Sequence, residues 1–325
     1  MGYRINKDKL KAETLQAGIA ILRTVLLVGF SYIILHPIIL MISKAFMAQE
    51  DVFDNSVLWI PKHFTLDNLE VAIDTMKYGK ALLSSILSSL CSTVMQIIPC
   101  MMAGYAFARF KFKGSSFLFA IVILTILMPP QQFMTPLYLH LSRFDIFGIV
   151  KAMNNGNTIN LTSTSIPYFL LSLTGFGLRN GLFIFLFCQS FRGIPRETEE
   201  AAMMDGAGQF RIFWQIMLPS SVTILVTVML FSFVWQYNDT YFSNMLLPDV
   251  RTLPQAFGIF DSPISGWNGD LRSHSMLSQY VLDDPKVLAL LRNSGMLLIL
   301  APLLLVYGCA QKYFIQSVER SGLVG

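Results

Sequence analysis

One stretch of the chain carries charged, small and glycine residues at a spacing that suits a contact rather than a reaction. Glu200, Ala201 and Ala202 are followed by Asp205-Gly206, then by Phe210, Phe213 and Trp214, and finally by Ile216, Leu218 and Pro219. Pro195 fits the first position of a helix, and Glu197, Glu199 and Glu200 complement the positive end of its dipole. Asp205-Gly206 can end that helix in the left-handed conformation open to glycine. A second short helix, about Ala207 to Ile216, then leads through Pro219 into an apolar run. Ala201 and Ala202 let another backbone come close, and the carboxylates offer partners for arginine. From the residues alone two readings stand. The loop is a docking face for another protein, or it is an interfacial helix anchored by its aromatic residues.

A second group mixes ring faces with amides: Phe233, Trp235, Gln236 and Asn238, at the outer end of an apolar run. That mixture suits a sugar, and it equally suits an aromatic belt at a membrane surface. Gln96 and Gln189 lie inside other apolar runs and are expected to face a bundle interior, through packing hydrogen bonds or ligand contacts. Arg179 and Arg292 are the cations expected to line such a route, if the cargo carries a phosphate.

Catalytic patterns are missing. Gly79-Lys80 is followed by Ala81 and lacks the glycine a phosphate-binding loop requires ahead of it, so the chain holds no nucleotide by that motif. His36, His63, His140 and His274 stand apart, with no ligand spacing. Cys91, Cys100, Cys188 and Cys309 fall in apolar stretches without a CxxC pair, which makes them small buried hydrophobes rather than a disulfide or metal framework. No catalytic residue, metal or cofactor is expected in this chain.

The elements that must position these groups are membrane helices. Of 325 residues 54% are hydrophobic and only 14% charged, too few charges to cover a soluble surface. A net charge of +4, spread along the chain, makes no case for nucleic acid. A span needs roughly 20 mainly apolar residues. Six candidates follow: about Ala17 to Ser43, Ala81 to Phe107, Ser115 to His140 (broken at Pro129-Pro130), Ile166 to Phe191, Met217 to Tyr237 and Leu288 to Gln311. The fold expected is therefore all-α. It divides into a tail over 1–16, a first span over 17–44, an external loop over 45–80, a core over 81–311 containing the loop 192–219, and a tail over 312–325. Basic residues gather at Arg4, Lys7, Lys9 and Lys11, at Arg109, Lys111 and Lys113, and at Lys312 and Arg320. The long connections are acidic, with Asp51, Asp54 and Glu70 in one and Asp239, Asp249, Asp261, Asp270 and Asp283 in the other. That alternation requires both termini in the cytoplasm.

The order Glu200-Ala201-Ala202, Gly206, Ile216-x-Leu218-Pro219 resembles the EAA loop of binding-protein-dependent ABC importer permeases, and the likeness extends over most of the chain. It is best with the carbohydrate-uptake permeases, such as the second membrane subunit of the maltose transporter. His36-Pro37 with Ser43-Lys44, Ala103 through Arg109, Met128-Pro129 through Tyr138, and Gln311 through Phe314 resemble that family's span ends. The tail Ser317 to Gly325 departs from the family's usual Gly-Ala-x-Lys-Gly ending. The resemblance implies the type I ABC importer permease fold in a bacterial cytoplasmic membrane. It also implies partners: cytoplasmic ATPase subunits holding ATP and Mg, a second homologous permease, an extracellular substrate-binding protein and the lipid bilayer. In that family the loop sits in a groove of the ATPase. Glu200 would meet an ATPase arginine there, Ala201 and Ala202 would pack, and Gly206 would make the turn. A glycerol-phosphate-type polyol is the variant cargo, and a secondary transporter without an ATPase is the competing class.

Overall fold

A computed structural model describes residues 7–57, 59–129, 131–145, 148–261 and 284–322. The expected Asp270, Asp283 and His274 lie outside the described residues, as do Pro130 and the last residues of the tail. Among the described residues the chain is helical throughout, with only isolated bridges Met47 to Phe64 and Phe144 to Ile159. Its helices are α1 Lys7–Ala45, α2 Gln49–Phe53, α3 Asp67–Met76, α4 Tyr78–Arg109, α5 Ser115–Leu127, α6 Gln131–Ser142, α7 Ile149–Met153 and α8 Ile166–Leu173. Then come α9 Asn180–Arg192, α10 Arg196–Met204, α11 Gln209–Ile212, α12 Leu218–Ser220, α13 Val222–Tyr237, α14 Tyr241–Leu246, α15 Leu253–Phe257 and α16 Pro285–Gly322.

Among the described residues three helices are long and apolar enough to cross a membrane: Leu15–Ala45, Tyr78–Arg109 and Pro285–Lys312. Two bent pairs bring the number to five if each pair counts as one span. Ser115–Leu127 and Gln132–Ser142 meet at 104°, and Gln209–Ser220 and Val222–Tyr237 meet at 78°. The first bend falls where expected, because the residue before a proline is pushed out of the helical region, and α5 stops at Leu127, ahead of Pro129. The second puts the start of the fifth regular helix at Val222 rather than Met217.

The fourth expected span, Ile166 to Phe191, is not one helix. It breaks between α8 and α9, where Gly175 has φ 81° and Arg179 φ 61°. Two left-handed residues four positions apart cannot sit in a continuous right-handed helix. The sixth helix runs past Gln311 to Gly322, so the expected tail over 312–325 begins as helix.

The chain forms two compact units, Met1–Thr75 with Ser262–Leu298, and Met76–Asp261 with Ile299–Gly325. In the first, the side chains of α1 from Leu15 to Leu35 are almost all exposed, a surface that suits lipid rather than water. The end of α1 is capped from a distance. Asn68 Nδ2 donates to the carbonyls of Ala45 and Met47 at 3.2 and 2.8 Å. Nearby, His63 Nδ1 lies 2.8 Å from the buried Asp51 carboxylate, and Lys62 pairs with Asp54 at 2.5 Å.

The second unit packs α4 against α9 and α13. Its core joins Ile97, Met101 and Tyr105 to Phe183, Phe187, Phe191 and Val228. Contact between α4 and α9 is so close that a Cβ on Gly104 would lie 2.6 Å from Phe187 Cβ, so only glycine fits there. Cys100 and Cys188 are buried in these helices as expected, while Cys91 and Cys309 are exposed. On a lipid-facing helix an apolar thiol needs no protein cover.

Candidate functional site

The loop between α9 and α13 begins with α10. Pro195 is its N-cap rather than its first helical residue. Gly206, at φ 82°, ends the helix in a Schellman turn, in which Gly206 N–H donates to Met203 O at 3.0 Å and Ala207 N–H to Ala202 O at 2.9 Å. The second helical stretch runs beyond Ile216. It starts at Gln209, widens into a π turn over Phe213–Met217 and ends at Ser220. Ala202, Ile212, Phe213 and Met217 are buried in the unit's core. Phe213 therefore packs inward, against Tyr105 and Phe191, while Phe210 and Trp214 stay exposed.

The two adjacent glutamates part company. Glu200, Ala201, Asp205 and Gly206 are exposed, forming a free outer face. Glu199 instead turns inward and forms a buried ion pair with Arg109, at the end of α4, the two side chains 8% and 6% exposed. Arg109 Nη2 also donates to Ile194 O at 2.7 Å. Successive helical residues point about 100° apart, so two neighbouring glutamates need not share a face. Glu199 was expected only to complement the helix dipole, and Arg109 only to mark the membrane side. The spacing of the pair on the helix was the available signal.

The amide group splits in a similar way. Gln96 is fully buried and does face the interior. Its Nε2 donates to Leu178 O at 2.5 Å and to Asn180 Oδ1, and its Oε1 accepts from Ser232 Oγ at 2.7 Å and Gln236 Nε2 at 3.2 Å. Tyr168 completes the set, donating its hydroxyl to Gln236 Oε1 at 2.9 Å. One glutamine thus satisfies a carbonyl freed where the fourth span breaks, and ties the break to α13. Gln189 does not join this network. It is exposed near the end of α9, because its turn of the helix faces away from α4. Trp235 and Asn238 line a cleft of about 500 Å3 together with Met128, Pro129, Leu178 and Arg179. Phe233 is not among its lining residues and packs beside Tyr237.

Residues 96–320, which hold both the loop and this network, match the family described as binding-protein-dependent transport system inner membrane component. The chain belongs to that family. Over 313 residues this permease is 25% identical to the arabinooligosaccharides transport system permease protein AraQ of Halalkalibacterium halodurans, covering 94% of this chain and 98% of that one. Over 179 residues it is 34% identical to the alpha-glucoside transport system permease protein AglG of Rhizobium meliloti, 55% of this chain and 44% of that one. Among solved structures, a chain from a bacterial ABC transporter involved in the import of the acidic polysaccharide alginate superposes with a TM-score of 0.67 at 20% identity. It covers 97% of this permease and 100% of that chain, which establishes a shared fold. The likeness to carbohydrate-uptake permeases drawn from the span ends is matched by these relatives' names. In the permease, the described residues hold no cluster of three or more groups able to bind a metal ion.

Proposed function

We propose that this permease is one transmembrane subunit of an ATP-driven importer in the bacterial cytoplasmic membrane, and that it carries an oligosaccharide handed over by an external binding protein. Six spans, one of them the broken fourth, would leave both termini in the cytoplasm. ATP and Mg would sit in separate ATPase subunits, and a second permease would complete the pathway. Nucleotide binding would favour one state of a two-state assembly, and the loop would carry that preference to the spans. The observation that carries this reading is the division of labour within α10. Glu199 fastens the helix to α4 inside the membrane unit, and Glu200 with Ala201 is left free on the outer face. A loop that were only an interfacial anchor would have no need of a buried ion pair to hold it to a transmembrane helix.

The test is charge reversal at the free carboxylate. Glu200→Lys, or a bulky side chain at Gly206, should abolish uptake and uptake-coupled ATP hydrolysis in reconstituted vesicles while membrane insertion persists. Uptake that survives both changes and runs without ATP would leave a secondary transporter as the better description.

A further inference from the structure

The cleft between the broken spans contains a guanidinium that is paired with no carboxylate among the described residues. We propose that Arg179 is the recognition group of a subsite for a carbohydrate bearing an oxyanion, a carboxylate or a phosphate, with Trp235 and Asn238 receiving the sugar ring beside it. This deepens the importer reading and rests on it.

Arg179 is one of three non-glycine residues at positive φ among the described residues. Such a conformation costs of order 1–3 kcal/mol and persists only where the surroundings over-determine it. Here they do, because Gln96 grips the carbonyl of Leu178 on one side of Arg179 and the side chain of Asn180 on the other. The strained residue projects its guanidinium over the indole of Trp235, 5.5 Å from the ring centroid.

That guanidinium has no hydrogen-bond or ion-pair partner among the described residues. The neighbouring carboxylate of Asp239 is already engaged, accepting from the N–H groups of Tyr241, Phe242 and Ser243 at 3.2, 3.2 and 2.8 Å. Among the described residues that line the cleft, Arg179 is the sole cation. In the proposed topology it lies midway along the fourth span, where an ionisable side chain is costly without a counter-charge and marks a pathway. A planar guanidinium accepts a carboxylate or phosphate in a two-pronged fit. Trp235 adds an apolar ring face. Asn238 donates one N–H to Val234 O at 3.0 Å, leaving its other N–H and its carbonyl for hydroxyl groups.

The complete importer, purified with its co-assembling subunits, can be titrated with two matched pairs of probes. These are trigalacturonate against its trimethyl ester, and glucose 6-phosphate against glucose. At least tenfold tighter binding of the charged member is expected in one pair, and which pair shows it separates a carboxylate from a phosphate. Arg179→Gln should erase the preference and Arg179→Lys should keep part of it. Equal binding within both pairs in the wild type, or a preference that persists in Arg179→Gln, would overturn the subsite. If Arg179→Gln does not assemble, the wild-type pairs and Arg179→Lys decide. ATP-dependent uptake of a neutral oligosaccharide without any anion preference would sink the subsite alone, whereas uptake independent of ATP would sink the importer reading beneath it.

Discussion

The loop around α10 and the break around Arg179 solve opposite problems with the same kind of device. In the loop, a charge pair buried inside the unit, Arg109 with Glu199, leaves the neighbouring Glu200 exposed and regular in geometry. At the break, a neutral amide, Gln96, holds the backbone so that the charge of Arg179 is exposed in a strained geometry. The first arrangement suits a contact that must transmit force, since its anchor is ionic and rigid. The second suits a contact that must let go, since its anchor is a set of exchangeable hydrogen bonds. In both, a buried polar group is what allows an adjacent residue to be free.

The comparison can be broken in descending order of effect. Removing one partner of the buried pair, by Arg109→Ala or Glu199→Ala, should cost about 3–5 kcal/mol by stranding the other charge. A lowered melting temperature of the purified complex checks this, and Arg109→Met with Glu199→Met together should recover most of it. Gln96→Leu comes next. It leaves Leu178 O and Gln236 short of a partner, at about 1–3 kcal/mol for each group left unsatisfied, readable as a lower denaturation midpoint and a disturbed Trp235 fluorescence. Gly206→Ala should cost about 1–2 kcal/mol through its positive φ alone, since open space surrounds the added methyl group. Here coupled ATP hydrolysis should fall several-fold while the melting temperature drops by only a few degrees, since about 1 kcal/mol moves a domain of 150–250 residues by about 2–4 °C.

The smallest effect lies in the loop over 45–80. Burial works against the Asp51 charge, but hydrogen bonds from the His63 backbone and ring outweigh it and hold the carboxyl below its ordinary value. His63 is raised in turn, chiefly by its bond to Asp51. The His63 contribution is full below 6.5 and fades as pH rises through the raised value. The Asp51 contribution is full above 3.8 and fades as pH falls through the lowered value. Amide exchange at His63 should therefore be slowest between those limits, after correction for intrinsic rates, and His63→Ala should flatten the profile.

Much of the fold was legible because lipid imposes a simple demand, an apolar run of sufficient length, and α1, α4 and α16 satisfy it without interruption. The bend ahead of Pro129 was legible too, since proline acts on its own neighbour. The break in the fourth span was not. Gly175 and Gly177 are tolerated inside membrane helices, and Arg179 is held left-handed by Gln96, more than eighty residues away in sequence. The turn at Gly206 could be read from one residue, while the inward turn of Glu199 needed Arg109, a partner on another helix. Gln189 shows the limit of a rule based on polarity alone: near the end of a helix a glutamine can face outward, and only packing decides.

The split anchor of the loop also bears on engineering. A segment over 192–219 moved into another permease would arrive with Glu199 but without the arginine at the end of α4, and the recipient would inherit an uncompensated carboxylate beneath its new surface. The unit of transplantation is thus discontinuous, two pieces of chain exchanged together, and a chimaera whose crossover separates Arg109 from Glu199 should be less stable than one that keeps the pair.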